Sequence, residues 1–163
     1  MNSTIDPTIL PLTVYFDKSC PICREEIAAL KSIDANDALT LVDCSSPEFN
    51  DAAAQERGLT SEELKAAMHV RDAKGNWYLV VDAFVVMYEA VGFDSAAALL
   101  QKRGFRSLFE WIYPLFAKHR HKLRYIGADR FMPWLIRRSA AKQAAKAAHC
   151  AIKDNESGQK SSD

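Results

Sequence analysis

Two cysteines separated by two residues, at the seam between a strand pattern and a helix pattern, constrain this chain more than any other feature. Leu12-Thr13-Val14-Tyr15-Phe16 is a β-branched and aromatic run bounded by Pro11 and Asp17, the composition of a short buried strand. Asp17-Lys18-Ser19-Cys20-Pro21-Ile22-Cys23 follows. Pro21 suits a first helical position, where its fixed φ fits and its missing N–H would be unpaired anyway. Cys23, Ile27 and Leu30 then recur at helical spacing as a buried face, with Arg24, Glu25 and Lys31 left for solvent.

That placement has chemical consequences. Cys20 falls at the helix mouth, where the macrodipole and free N–H groups favour a thiolate. Its pKa is expected to drop from about 8.5 towards roughly 3.5 to 7.5. Cys23, one turn further in, is expected to be the more shielded of the two. An exposed thiolate followed by a shielded thiol within disulfide reach is what dithiol exchange requires: Cys20 attacks and Cys23 resolves. The alternatives for such a pair are two core cysteines or half of a zinc site. Asp17 either accepts a proton during exchange or caps the turn into the helix. Its charge raises a nearby thiol's pKa, and Lys18 acts in the opposite sense if its ammonium approaches Cys20.

The resemblance carried by these residues is specific. Asp17-Lys18-Ser19-Cys20-Pro21-Ile22-Cys23 resembles the Asp-x-x-Cys-x-x-Cys signature of the DCC family of thiol-disulfide oxidoreductases. Met68-His69-Val70-Arg71-Asp72 through Gly75, and Asp82-Ala83-Phe84, resemble that family's second strand pair and following helix. Trp111, Pro114, Tyr125 and Arg130 resemble its C-terminal helical part, so the likeness covers roughly residues 12 to 138. It implies a thioredoxin-like fold and disulfide exchange; exchange through the Cys20/Cys23 pair requires no bound organic cofactor. Cys-Pro-x-Cys also resembles glutaredoxins, but the chain lacks their Thr-Val-Pro segment and Gly-Gly turn.

The order of elements agrees. Leu39-Thr40-Leu41-Val42 reads as a second strand, parallel to the first across a right-handed crossover, which puts Asp43 and Cys44 on the same sheet edge as Cys20. Pro47 to Arg57 reads as a helix capped by Ser46, and Thr60-Ser61-Glu62-Glu63 has the spacing of a capping box. Met68 to Asp72 and Trp77 to Val81 form an antiparallel hairpin around Gly75, and Ala83 to Val91 is a helix. The expected fold is therefore α/β: a thioredoxin-like βαβαββα sandwich with a C-terminal helical extension. Residues 1–11 read as a flexible arm, 12–92 as the core, 93–150 as a helical extension packed on it and 151–163 as a disordered tail. Within the extension, Ala96 to Lys102, Phe105 to His119 and Phe131 to Ala148 are helix candidates, with Pro114 as a kink.

Other candidates are weaker. His69 opens the third strand, which starts beside the cysteines, so it is an auxiliary candidate with Lys18 and Pro21. Thioredoxins carry a cis-proline there, whereas this chain has no proline between Pro47 and Pro114. Cys44 is a third thiol near the site, and Cys150 has no evident role. A zinc site built from Cys20, Cys23, Cys44 and His69 would lack a second Cys-x-x-Cys or a His-x-x-x-His. The competing class is a non-catalytic thioredoxin-like module that binds a metal or a partner.

Charge is unevenly spread: residues 1–100 hold 7 Lys/Arg against 16 Asp/Glu, and residues 101–150 hold 12 against 2. A basic C-terminal part that is solvated or docks on the acidic body is the plain expectation. The stretch from Lys118 to Arg138, with Phe131, Met132 and Trp134, also has the composition of a helix lying on an anionic membrane. No run approaches about 18 apolar residues and Met1 to Pro11 is no signal peptide, so the expected location is cytoplasmic. Expected partners are a disulfide-containing protein or small molecule and an external thiol reductant, with no nucleic acid.

Overall fold

The computed structural model describes residues 5–123 together with positions 134, 137, 138 and 141. Among these residues, strands β1 (Leu12–Phe16), β2 (Leu39–Asp43), β3 (His69–Arg71) and β4 (Trp77–Leu79) form one sheet in the order β2-β1-β3-β4. β1 is parallel to β2 and antiparallel to β3, which pairs antiparallel with β4. The helices are α1 (Pro21–Ser32), α2 (Ala52–Glu56), α3 (Ser61–Ala66), α4 (Val81–Ala90), α5 (Asp94–Gln101) and α6 (Arg103–Leu123). This is the expected thioredoxin-like βαβαββα arrangement, followed by α5 and α6. No described helix is long and apolar enough to cross a membrane.

β1 is central because both of its faces are apolar. Side chains alternate across a strand, so Leu12, Val14 and Phe16 join the main core with Ile27 and Leu30 of α1 and Val81, Phe84 and Met87 of α4. Tyr15 points the other way, into a second cluster with Cys44, Ala54 and Leu64. On α1 the buried positions are Ile22, Cys23, Glu26, Ile27, Ala29 and Leu30. Lys31 is less free than expected: its Nζ donates to the Leu39 carbonyl at 2.7 Å and to Asp34 at 2.9 Å, tying the end of α1 to the start of β2.

Several boundaries differ from the sequence reading. The helix expected from Pro47 with Ser46 as cap is confined to Ala52–Glu56, because Asp51 supplies the cap by accepting from Ala54 N–H at 2.8 Å. Ser46 instead bonds to Glu48. α3 has the expected capping box, with Thr60 and Glu63 each accepting from the other's backbone N–H. α4 and α5 start earlier than expected, at Val81 and Asp94, α5 stops at Gln101 with Lys102 as its cap, and α6 (Arg103–Leu123) extends past both ends foreseen for it. The segment read as a flexible arm is, over residues 5–11, packed on the body: Ile5 is buried and Ala73 N–H donates to the Ile9 carbonyl at 3.0 Å. The helix expected over Phe131 to Ala148 and the tail lie outside the described residues, apart from isolated positions in the former.

Candidate active site

The site is built where β1 ends. Phe16 leads into Asp17, whose carbonyl accepts from Cys20 N–H at 3.2 Å. The Asp17 carboxylate accepts from the N–H of Ser19 at 3.0 Å and from its hydroxyl. Of the two roles foreseen for Asp17, turn capping is the one visible in these contacts. The loop is also pinned to the end of β2: Lys18 N–H donates to Asp43 Oδ1 at 3.3 Å and Ser19 N–H to Ser45 Oγ at 3.2 Å. The Lys18 side chain is exposed; burial raises the Asp43 carboxyl, but hydrogen bonds from the Ser45 hydroxyl and N–H, then from Lys18 N–H, and least of all the Lys18 charge hold it below the usual carboxylate range.

Cys20 is the N-cap of α1 and Pro21 opens the helix. Cys20 Sγ accepts from Cys23 N–H at 3.4 Å and from the Cys23 thiol at 2.8 Å. Both donors favour negative charge on Cys20. They come from the first turn of the helix, where N–H groups lack intrahelical acceptors.

One expectation is corrected here. Cys20 is not exposed: its exposure is 0% and that of Cys23 is 8%. The two thiols and Ile22 form a small apolar cluster covered by Phe116 of α6, a residue far away in sequence. Behind Cys23 lies a cavity of about 20 Å³ whose walls include Asp17, Glu26, Met68, Tyr113 and Phe116. That is room for about one water.

Glu26 was not singled out from the sequence. It is 8% exposed, and burial drives its carboxyl from the ordinary 4.5 up to about 7. The Tyr88 hydroxyl of α4 donates to Glu26 Oε1 at 3.4 Å, which works against this shift, and the charge of Cys20 reinforces it. The signal was available: Glu26 is three residues beyond Cys23 and four before Leu30, so it interrupts an apolar stripe with a carboxylate.

Comparison with known proteins decides the family. The family model described as DCC1-like thiol-disulfide oxidoreductase matches residues 14–125. The chain belongs to this DCC1-like family. It is also 25% identical, over 133 residues, to an uncharacterized chloroplastic protein of Arabidopsis thaliana; the match takes in 73% of this chain and 61% of that relative. The chain thus spans less than two thirds of that relative's length. No solved structure matches.

The remaining candidates are scattered relative to the DCC1-like signature. His69 is buried, its Nδ1 donates to the Ala67 carbonyl at 2.9 Å, and its ring meets Trp77 edge-on. Cys44 is fully buried in the second cluster, and burial together with Asp43, Asp17 and Asp51 pushes its thiol up to about 12. Such a thiol is a poor nucleophile. Among the described residues no group of three or more His, Cys, Asp and Glu is arranged to hold a metal ion. Trp111 is 77% exposed. Tyr125, Arg130 and Cys150 lie outside the described residues.

Proposed function

We propose that this DCC1-like protein is a protein-disulfide reductase working through Cys20 and Cys23, in a reducing compartment such as the cytoplasm. The observation that carries the reading is the paired donation to Cys20 Sγ from the N–H and thiol of Cys23 at the N-terminus of α1. Cys20, as thiolate, attacks one sulfur of a substrate disulfide. That S–S bond breaks, the departing sulfur leaves as a thiolate and takes up a proton, and a mixed disulfide forms on Cys20. Cys23 then attacks Cys20 Sγ and expels the second substrate thiol. Two electrons have passed to the substrate, and an external thiol returns them to the Cys20–Cys23 disulfide. Asp17 holds the entry turn, and Pro21 sets the helix start.

The test is trapping. Cys23→Ser is expected to accumulate mixed disulfides on Cys20 that a thiol reductant releases, while Cys20→Ser accumulates none. If Cys23→Ser traps nothing and the wild type reduces neither insulin nor a small disulfide, the reading is wrong. Regeneration by glutathione or by a thioredoxin system identifies the reductant class. A redox titration gives the direction of the reaction, on a scale running from about −270 mV for reductants to −120 mV for oxidants.

A further inference from the structure

The proposed cycle leaves one proton unassigned. Cys23 must lose its proton before it can attack Cys20, yet it is buried beneath Phe116 beside Ile22, away from bulk water. The groups around it with protons or charge to exchange come from several elements. They are Cys20 at the start of α1, Tyr15 and Asp17 at the end of β1, Glu26 on α1, Lys65 on α3, Tyr88 on α4 and Tyr113 on α6. Burial and the neighbouring Glu26 hold Tyr88 neutral. Tyr15 is pushed up to about 12 by burial and by Asp51, so it also stays neutral. Tyr113 oxygen accepts from Met68 N–H at 2.9 Å, Lys65 pairs with Glu62 at 2.7 Å, and Asp17 is engaged by Ser19. Glu26 lies one helical turn from Cys23, on the same face, and both border the cavity that has room for about one water.

We propose that the Glu26 carboxylate accepts the Cys23 proton in the resolving step. The inference rests on the reading of Cys20 and Cys23 as an exchanging pair. In the resting dithiol, the negative Cys20 sulfur favours a protonated Glu26. Formation of the mixed disulfide removes that charge, and Glu26 gives its proton to the departing substrate thiolate while the bound substrate displaces the Phe116 cover. The Cys23 thiol then transfers its proton to the Glu26 carboxylate, directly or across one water, as the Cys23 sulfur bonds to Cys20 and the second substrate sulfur leaves. The products are one substrate thiol, one substrate thiolate that solvent protonates, the Cys20–Cys23 disulfide and a protonated Glu26. The same electrostatic coupling that holds the proton on Glu26 at rest thus frees the carboxylate once Cys20 has reacted.

The experiment is rapid mixing of the reduced full-length protein with dithiobis(nitrobenzoate). Attack by Cys20 releases one coloured thiolate, and resolution by Cys23 releases the second. The first phase reports the exchange reading and the second reports Glu26. For the wild type, the second-phase rate is expected to rise through an inflection between about pH 6 and 8 as Glu26 ionises, and Glu26→Gln is expected to lose that inflection and slow the phase by about 10²-fold. Glu26→Asp should restore part of the rate. Tyr88→Phe should move the inflection upward, because the hydrogen bond it removes favours the carboxylate. A Glu26→Gln second phase like the wild type's overturns the proposal, as does an inflection lost in Asp17→Asn instead. Should Glu26→Gln not fold, an unmoved inflection in Tyr88→Phe overturns it equally. Absence of the first phase in the wild type would overturn the exchange reading, and this proposal with it.

Discussion

Glu26 shares the buried stripe of α1 with Cys23, Ile27 and Leu30, and a carboxylate there is costly to desolvate. The cost appears in how stability depends on pH. The folded carboxyl titrates near 7 and the unfolded one near 4.5. Between those values the native state holds a proton that the unfolded chain has lost, so stability falls as pH rises through the window and is level above it. The whole drop is roughly 3 kcal/mol. Glu26→Gln is therefore expected to match the wild type near pH 4.5 and to exceed it in stability above pH 7. Urea unfolding midpoints of the reduced proteins across that range measure this, and a stability gap between Glu26→Gln and the wild type that does not widen from the acid to the neutral side would contradict the assignment. Cys44 shows the contrast at the same scale: it is as buried as Cys20 but lies in a cluster ringed by aspartates, so burial there makes a thiol inert.

Among the elements, α6 decides access to the site. Its Phe109 and Tyr113 pack around Phe84 of α4, with ring centroids 5.7 and 6.4 Å away, and Phe116 closes over the thiols. On the proposed reading, a disulfide partner would reach the buried Cys20 by displacing this cover. Phe116→Ala is expected to speed iodoacetamide labelling of Cys20 by about tenfold, at a stability cost of about 1 to 3 kcal/mol because the ring is only partly buried. Mass-resolved labelling rates with a denaturation curve check both parts. Unchanged labelling in a folded variant would show that Phe116 does not gate the site.

Over the whole molecule, residues 1–100 are acidic and residues 101–150 basic in sequence, and among the described residues Arg106 of α6 forks onto Asp82 of α4 at 2.8 and 3.0 Å. Magnitudes argue that this pair is not what holds α6 in place. Both side chains are substantially exposed, and exposed pairs contribute about 0 to 1 kcal/mol and weaken with salt. The Phe84, Phe109 and Tyr113 rings bury apolar area that salt does not screen. Arg106→Ala is expected to cost less than about 1 kcal/mol, and Phe109→Ala about 1 to 3 kcal/mol with little salt dependence. Paired urea titrations at low and high salt compare the two, and the reverse ranking would mean that the extension is held by charge.

What the sequence determined by itself is what short-range chemistry determines. The strand run at Leu12–Phe16, the Cys20-Pro21 helix start, the Thr60/Glu63 box and the Gly75 hairpin each depend on residues a few positions apart, and each has its expected form. α2 shows the limit even at short range. Ser46 and Asp51 are both good caps, and the tertiary contacts fall on Asp51, whose carboxylate accepts from the Tyr15 hydroxyl at 3.0 Å while Ala54 packs with Tyr15 and Leu64. The tertiary structure decided the environment of the chemistry. Helical spacing places Cys20 at a helix mouth, but it cannot know that Phe116, from the far end of the described chain, covers it. It marks Glu26 as a misfit on an apolar face, but burial under α4, the Tyr88 hydroxyl and the nearby Cys20 charge set that carboxyl's proton. Burial and electrostatics sum over everything nearby in space, and sequence order does not record who those neighbours are.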